Sequence, residues 1–326
     1  MEAAPQTAEL SEVIDEHPQL PPELMLEIAS FLLDAPYVYI GQREERKMQL
    51  KICRALSHSC RIFRAIFIPH LWNSVDDFFA DGGDDLSLRL DVRMREITQA
   101  EYLVNHVKVI SLSLHGPALS NPDRAAAFIA CLRAFSNLEA LKIVSLAMDR
   151  PINTQNSFEY IYNAFRPHAF LSVARLVLPD ALAPILSSFP RARSIFCGED
   201  RPTAGFRLIR AAKNYCPKLE EVVYGGSSRV MIGWISVATP NIQRLILRNT
   251  LFEEDFVFMR TMTNLIYLEF AHREDVDQLF PSLADCEKQG RALLSISRNP
   301  APKKLRIVTL KGRTETVLRE TVIDLP

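Results

Sequence analysis

The chain has 326 residues, enough for one large domain or a small domain joined to a larger one. Apolar residues make up 48% and charged residues 24%, a balance that excludes a globally disordered chain. The formal net charge of -1 argues against a protein built mainly to hold nucleic acid, because phosphate binding needs a basic surface. No run of about 18 apolar residues occurs, so no membrane span is expected.

Residues 1–19 read as a disordered acidic leader, without the basic and apolar regions of a secretion signal. The stretch "LPPELMLEIASFLL", Leu20 to Leu33, reads as a helix with Pro22 fixing its start. Glu23, Glu27, Ser30 and Asp34 form one narrow polar stripe at helical spacing, and Leu24, Met25, Leu26, Ile28, Ala29, Phe31, Leu32 and Leu33 cover the rest. A helix on a small core needs only one apolar stripe. The surplus suggests a second occupant: Leu20, Pro21, Leu24, Ile28 and Leu32 follow the spacing of a helix seated in a partner's groove. The alternative is that all of them serve the internal core.

A charged stretch, Asp34 to Lys47, leads into a helical run from Met48 to about Phe67. Its apolar side is expected to carry Ile52, Leu56, Cys60, Phe63 and Ile66, and another side carries Lys51, Arg54, His58 and Arg61. That basic stripe could meet an acidic partner, although such stripes are more often solvated faces. Pro69 is expected to end the helix, with Leu71, Trp72 and Val75 completing a compact helical unit over residues 20–75. Residues 76–92 read as an acidic linker. Its "DDFFADGGDD" lacks the EF-hand order of calcium ligands, so a solvated loop is the simpler reading.

From residue 93 to the end, 326, the chain becomes periodic. "NLEALKI", "KLEEVVY", "NIQRLIL" and "NLIYLEF" place apolar residues at i, i+3 and i+5: Leu138/Leu141/Ile143, Leu219/Val222/Tyr224, Ile242/Leu245/Leu247 and Leu265/Leu268/Phe270. Looser copies are Val107/Ile110/Leu112, Val173/Leu176/Leu178, Ala192/Ile195/Cys197 and Leu305/Val308/Leu310. Pro and Asn turns precede several of them, and helix-like segments such as "DRAAAFIACLRAF" lie between. The anchors Ala192, Leu219, Ile242 and Leu265 are 27, 23 and 23 residues apart, the spacing of leucine-rich repeats. The expected fold class is α/β: a small N-terminal helical domain followed by an irregular leucine-rich-repeat-like solenoid of strand–turn–helix units, whose stacking buries edges that no unit buries alone. An ordinary α/β sheet with βαβ crossovers is the competing architecture.

Cys53, Cys60, Cys131, Cys197, Cys216 and Cys286 are scattered, with no CxxC pair and no zinc-finger histidines. Reduced, buried thiols fit a cytoplasmic or nuclear compartment. No metal site, cofactor site or catalytic motif is visible: GxSxG, GxxxxGK[ST] and HExxH are all absent. His115 reads as a loop histidine, and Tyr224, Gly225 and Gly226 as a tight strand exit. Trp72 and Trp234 are expected in the core, with an exposed anchor as the other reading of Trp234.

"LPPELMLEIASFLL" followed by "LSHSCRIFRAIFIPHLWNSV" resembles an F-box, and "RMREITQAEYLVNHVKVISLSL" with the degenerate repeats is similar to the arrangement of many fungal F-box proteins. Two features depart from the pattern: Phe63 stands where a Trp is common, and the stretch between the first two helices is long and charged. The resemblance implies a substrate-receptor subunit of an SCF-type cullin–RING ubiquitin ligase, with no catalysis of its own. The F-box would dock a Skp-type adaptor, and through it a cullin, using Leu20, Pro21, Leu24, Ile28 and Leu32. The repeats would hold an unknown protein substrate. The alternative is a non-catalytic repeat scaffold whose first segment is only an N-terminal cap.

Overall fold

The computed structural model describes residues 20–33, 43–76, 96, 98–114, 122–145, 154–197, 205–226, 229–273, 281–311 and 316–325. The expected leader, most of the acidic linker and His115 lie outside them. The chain divides into two compact units, Met1–Leu71 and Trp72–Pro326.

The first unit contains helices α1 (Pro22–Leu33), α2 (Arg43–Ser59) and α3 (Arg61–Leu71). Met25 and Ala29 of α1 pack with Cys53 of α2 and with Phe63 and Phe67 of α3. Leu56, Cys60, Ile66 and Leu71 are partly buried around that cluster. Such a core is small, as expected of a unit this short. The expected single run from Met48 to Phe67 is two helices, broken at Cys60. The break rotates the faces: Cys53 and Ser57 are buried, whereas Ile52 is 39% exposed. Helix α3 also continues through Pro69 to Leu71. Pro69 lies in the last turn, where the missing N–H costs one hydrogen bond and leaves the preceding turns intact.

The second unit starts earlier than the composition suggests. Trp72 and Val75 pack against its core, and β1 (Ser74–Asp76) is the first strand of its sheet. After the short helix α4 (Glu101–Val104), strands alternate with helices: β2 (Val109–Leu114), α5 (Pro122–Ala134), β3 (Ala140–Ser145), α6 (Thr154–Phe165), β4 (Arg175–Val177) and a 3-10 helix (Asp180–Ser188). Then follow β5 (Ser194–Cys197), α7 (Phe206–Tyr215), β6 (Glu221–Tyr224), α8 (Arg229–Ala238), β7 (Arg244–Leu247) and α9 (Glu253–Met259). The last elements are β8 (Tyr267–Arg273), α10 (Leu283–Ser295), β9 (Lys303–Lys311) and β10 (Thr316–Leu325).

Among the described residues ten strands form one sheet whose spatial order is the chain order, β1 to β10. Strands β1 to β9 are parallel, and β10 returns antiparallel to β9. The order never reverses, so the sheet has no switch point of the doubly wound kind. One backbone device repeats along it. The carbonyls of Asn73, Lys108, Glu139, Ala174, Arg193, Glu220 and Gln243 each accept from two successive N–H groups that open the next strand. The turns ahead of the strands thereby stack on one another as the strands do.

From β2 to β9, alternate strand residues are buried on the helix side, in two rows. One row is Ile110, Leu141, Leu176, Ile195, Val222, Leu245, Leu268 and Leu305; the next includes Leu112, Ile143, Cys197, Tyr224, Leu247, Phe270 and Ile307. These rows share one core with helix residues such as Leu132, Phe165, Leu186, Ile209, Ile235 and Met259. The i+3 and i+5 positions of the sequence template are therefore the core-facing strand positions.

The last copy is out of phase by three residues. Leu305 pairs with Leu268, and Ile307 with Phe270, so Leu305 is a strand residue and not the corner anchor. Val308 and Leu310 then belong to the opposite face, where they form a separate cluster with Ala271. A strand's side chains alternate between faces, so Leu305 and Val308, three apart, cannot both point into the same core.

Candidate protein-interaction surfaces

Two surfaces stand out, one in each unit. On α1, Met25 and Ala29 are turned into the core, while Leu24 is 45% exposed, Leu26 59% and Ile28 38%. Leu20 and Pro21 are exposed as well. Leu32 lies within α1, but its side chain is outside the described residues. The structure thus places four of the five candidate docking residues in solvent. On α2, Met48 and Ile52, one turn apart, are also exposed. Lys51, Arg54, His58 and Arg61 are all exposed, but the helix break at Cys60 separates Arg61 from the other three.

The second surface is the face of the sheet opposite the helices. Register brings Lys142, Val177, Phe196, Val223, Ile246, Glu269 and Arg306 into one row across β3 to β9. Val177, Phe196, Val223 and Ile246 remain half-buried, so the described residues cover them only in part. Parallel sheets are ordinarily covered on both faces, which makes a partly open apolar row across four parallel strands unusual.

A chain of polar contacts runs beside that row. Ser194 Oγ donates to Glu221 Oε1 at 2.6 Å, and Arg244 Nε donates to Glu221 Oε2 at 2.7 Å. The Arg244 guanidinium sits 4.4 Å from the centre of the Tyr267 ring, a cation–π contact. Tyr267 Oη donates to Glu269 Oε2 at 2.5 Å, and Arg306 Nη1 donates to the same oxygen at 3.1 Å. Arg306 Nη2 then donates to Glu320 Oε2 at 2.9 Å. The contacts join six consecutive strands, β5 to β10. Burial raises the Glu269 carboxyl above its ordinary value, and burial with the Glu269 hydrogen bond raises the Tyr267 phenol. Arg248 lies over the Phe196 ring at 5.1 Å, placing a cation at the edge of the apolar row.

None of this surface was singled out in the sequence. Its residues sit at i+2 and i+4 of each template copy and vary in type: Arg175 and Val177, Ser194 and Phe196, Glu221 and Val223, Arg244 and Ile246. Of two other sequence candidates, Trp234 departs from expectation and the Tyr224–Gly226 strand exit agrees with it. Trp234 is 44% exposed on α8 and packs edge-to-face on Phe206 at 4.7 Å, so it is not a core residue. Tyr224 is fully buried, and Asn249 Nδ2 donates to the carbonyls of Gly225 and Gly226, which makes the two glycines part of a fixed turn.

Five cysteines, at 53, 131, 197, 216 and 286, are buried, and Cys60 is half-buried. Burial raises the thiols of Cys131 and Cys216 to about 12 and that of Cys286 to about 11. A thiol that resists ionisation is a poor nucleophile and metal ligand. Among the described residues no helix is long and apolar enough to cross a membrane. Comparison with protein-family models and with curated proteins found no match.

Proposed function

We propose that this chain is a substrate-receptor subunit of an SCF-type ubiquitin ligase. Its helical unit, which resembles an F-box, docks a Skp-type adaptor, and its leucine-rich-repeat-like unit holds a protein substrate on the partly open sheet face. The observation that carries this reading is the split role of α1. Met25 and Ala29 suffice to seat the helix, yet Leu24, Leu26 and Ile28 are left in water. Leu24 and Ile28, one turn apart on an exposed helix face, suit a complementary helical groove. The half-buried row of Val177, Phe196, Val223 and Ile246 supports the second half of the reading.

Such a protein makes and breaks no bond. It raises the local concentration of a substrate beside a charged conjugating enzyme, an effect set by tethering geometry. Co-expression of the full chain with a Skp-type adaptor tests the proposal. Wild type should co-elute with the adaptor on gel filtration, and the Leu24→Asp, Ile28→Asp double variant should not while keeping the same melting curve. Equal co-elution of both, or of neither, would leave the helical unit as an N-terminal cap on a scaffold.

A further inference from the structure

The helices of the second unit expose a third surface that the proposed function does not use. On α8, Val230 is 68% exposed, Trp234 44% and Val237 64%, at positions i, i+4 and i+7. Such a stripe normally faces a core, but here the core side of α8 is already supplied by Met231, Ile232 and Ile235. Neighbouring helices extend the stripe. Phe206 of α7 meets Trp234 edge-to-face with ring planes at 90°. On the other flank Phe258 of α9, 45% exposed, lies over Gly233, where an added Cβ would stand 3.7 Å from its ring. Three aromatic side chains thus cross three successive helices on the solvent side.

The charges beside this stripe differ between its flanks, and on the α9 side Glu253 and Glu254 are exposed. Helix α8 contains no acidic residue, and α7 presents Arg207, Arg210 and Lys213 to solvent. Arg210 and Lys213 continue the row that Phe206 begins, at i+4 and i+7, so they border the stripe along α7. Among the described residues none of the three makes an ion pair. An apolar stripe with an aromatic anchor and cations along one edge is complementary to a helix with the opposite arrangement.

We propose that the α7–α8–α9 surface binds an amphipathic helix of a partner protein with one acidic edge, its apolar side chains on Trp234, Val237 and Phe258 and the carboxylates of that edge toward Arg207, Arg210 and Lys213. The site is separate from α1 and from the open sheet face, and does not depend on adaptor docking.

A random peptide library displayed on phage and panned on the full chain tests this, with synthetic copies of the enriched peptides measured by fluorescence anisotropy. The enriched peptides should carry acidic residues along one edge, with apolar residues three or four apart. Their affinity should fall at least tenfold for Trp234→Ala and for Arg210→Glu, and a Glu→Lys change in the peptide should restore binding to Arg210→Glu. Far-UV circular dichroism and melting of both variants should match wild type, because the substituted side chains are exposed. Failure to enrich any peptide, enrichment of peptides without acidic residues, or equal binding by the variants would overturn the proposal. So would Trp234-dependent binding of the chain to phosphatidylserine–phosphatidylcholine vesicles without peptide selectivity, which would make the surface a lipid contact.

Discussion

Tyr267 and Glu269 stand two residues apart on β8, and the tyrosine hydroxyl donates a 2.5 Å hydrogen bond to the carboxylate of its neighbour. Both side chains belong to the face of the sheet away from the helices. Arg306 from β9 shares the same carboxylate oxygen and passes the contact on to Glu320 of β10. The polar chain thereby ties the antiparallel last strand to the parallel sheet, and its most buried acid is Glu269.

That burial has a pH signature. The Glu269 carboxyl is raised above 4.5, so the folded state favours its protonated form. Its contribution to stability is full below 4.5 and is lost as pH rises through the raised value. Glu269→Gln keeps the shape and an acceptor for Tyr267 while removing the titration. The urea midpoint of wild type, taken relative to Glu269→Gln, should therefore fall as pH rises above 4.5. Parallel curves for the two proteins would contradict the assignment.

Buried thiols set the alkaline limit. Cys131, Cys216 and Cys286 ionise at about 12, 12 and 11 in the fold, against 9.0 for an ordinary thiol. Stability from keeping them neutral is full below 9.0 and is lost as pH rises toward these values. Unfolding followed by circular dichroism should show stability declining from about pH 9 upward. Thiol titration at about pH 8 should find Cys60 reacting first and the five buried cysteines reacting only with denaturant. Rapid reaction of a second thiol in the native protein would be the contrary result.

Gly226 closes the turn after β6 against its own neighbour. A Cβ there would stand 2.5 Å from the Tyr224 hydroxyl oxygen, and Tyr224 is only 1% exposed, so its ring has no room to swing. Gly226→Ala should cost about 1–3 kcal/mol of stability in urea unfolding. Combining it with Tyr224→Phe, which deletes the clashing oxygen, should recover part of that loss, a coupling expected of touching residues. Simple additivity would mean that the turn relaxes in another way.

The core of the larger unit was legible because its signal is periodic. The strand positions i+3 and i+5 recur as Leu141/Ile143, Leu245/Leu247 and Leu268/Phe270, and all six are buried. What register alone assembles was not legible. Phe196 and Val223, or Glu269 and Arg306, are neighbours only because β5 pairs with β6 and β8 with β9 in one alignment. The copy beginning at Leu305 shows the same limit, since apolar residues occupy both faces of β9 and the sequence offers two phases. Between α2 and α3 no proline or glycine marks the break at Cys60, so the helical period reads straight through it. On α1 the surplus of apolar residues was visible in the sequence, but which edge is buried, Met25 and Ala29, depends on Phe63 and Phe67 of another helix.

The account rests on α1 having two apolar roles, and amide hydrogen exchange of the full chain with and without a purified Skp-type adaptor tests that most directly. Adaptor binding should slow exchange in the peptides spanning Leu20–Leu33, and leave strands β4 to β8 of the open sheet face unchanged. Unaltered exchange across Leu20–Leu33 at saturating adaptor, or protection confined to the sheet, would contradict it.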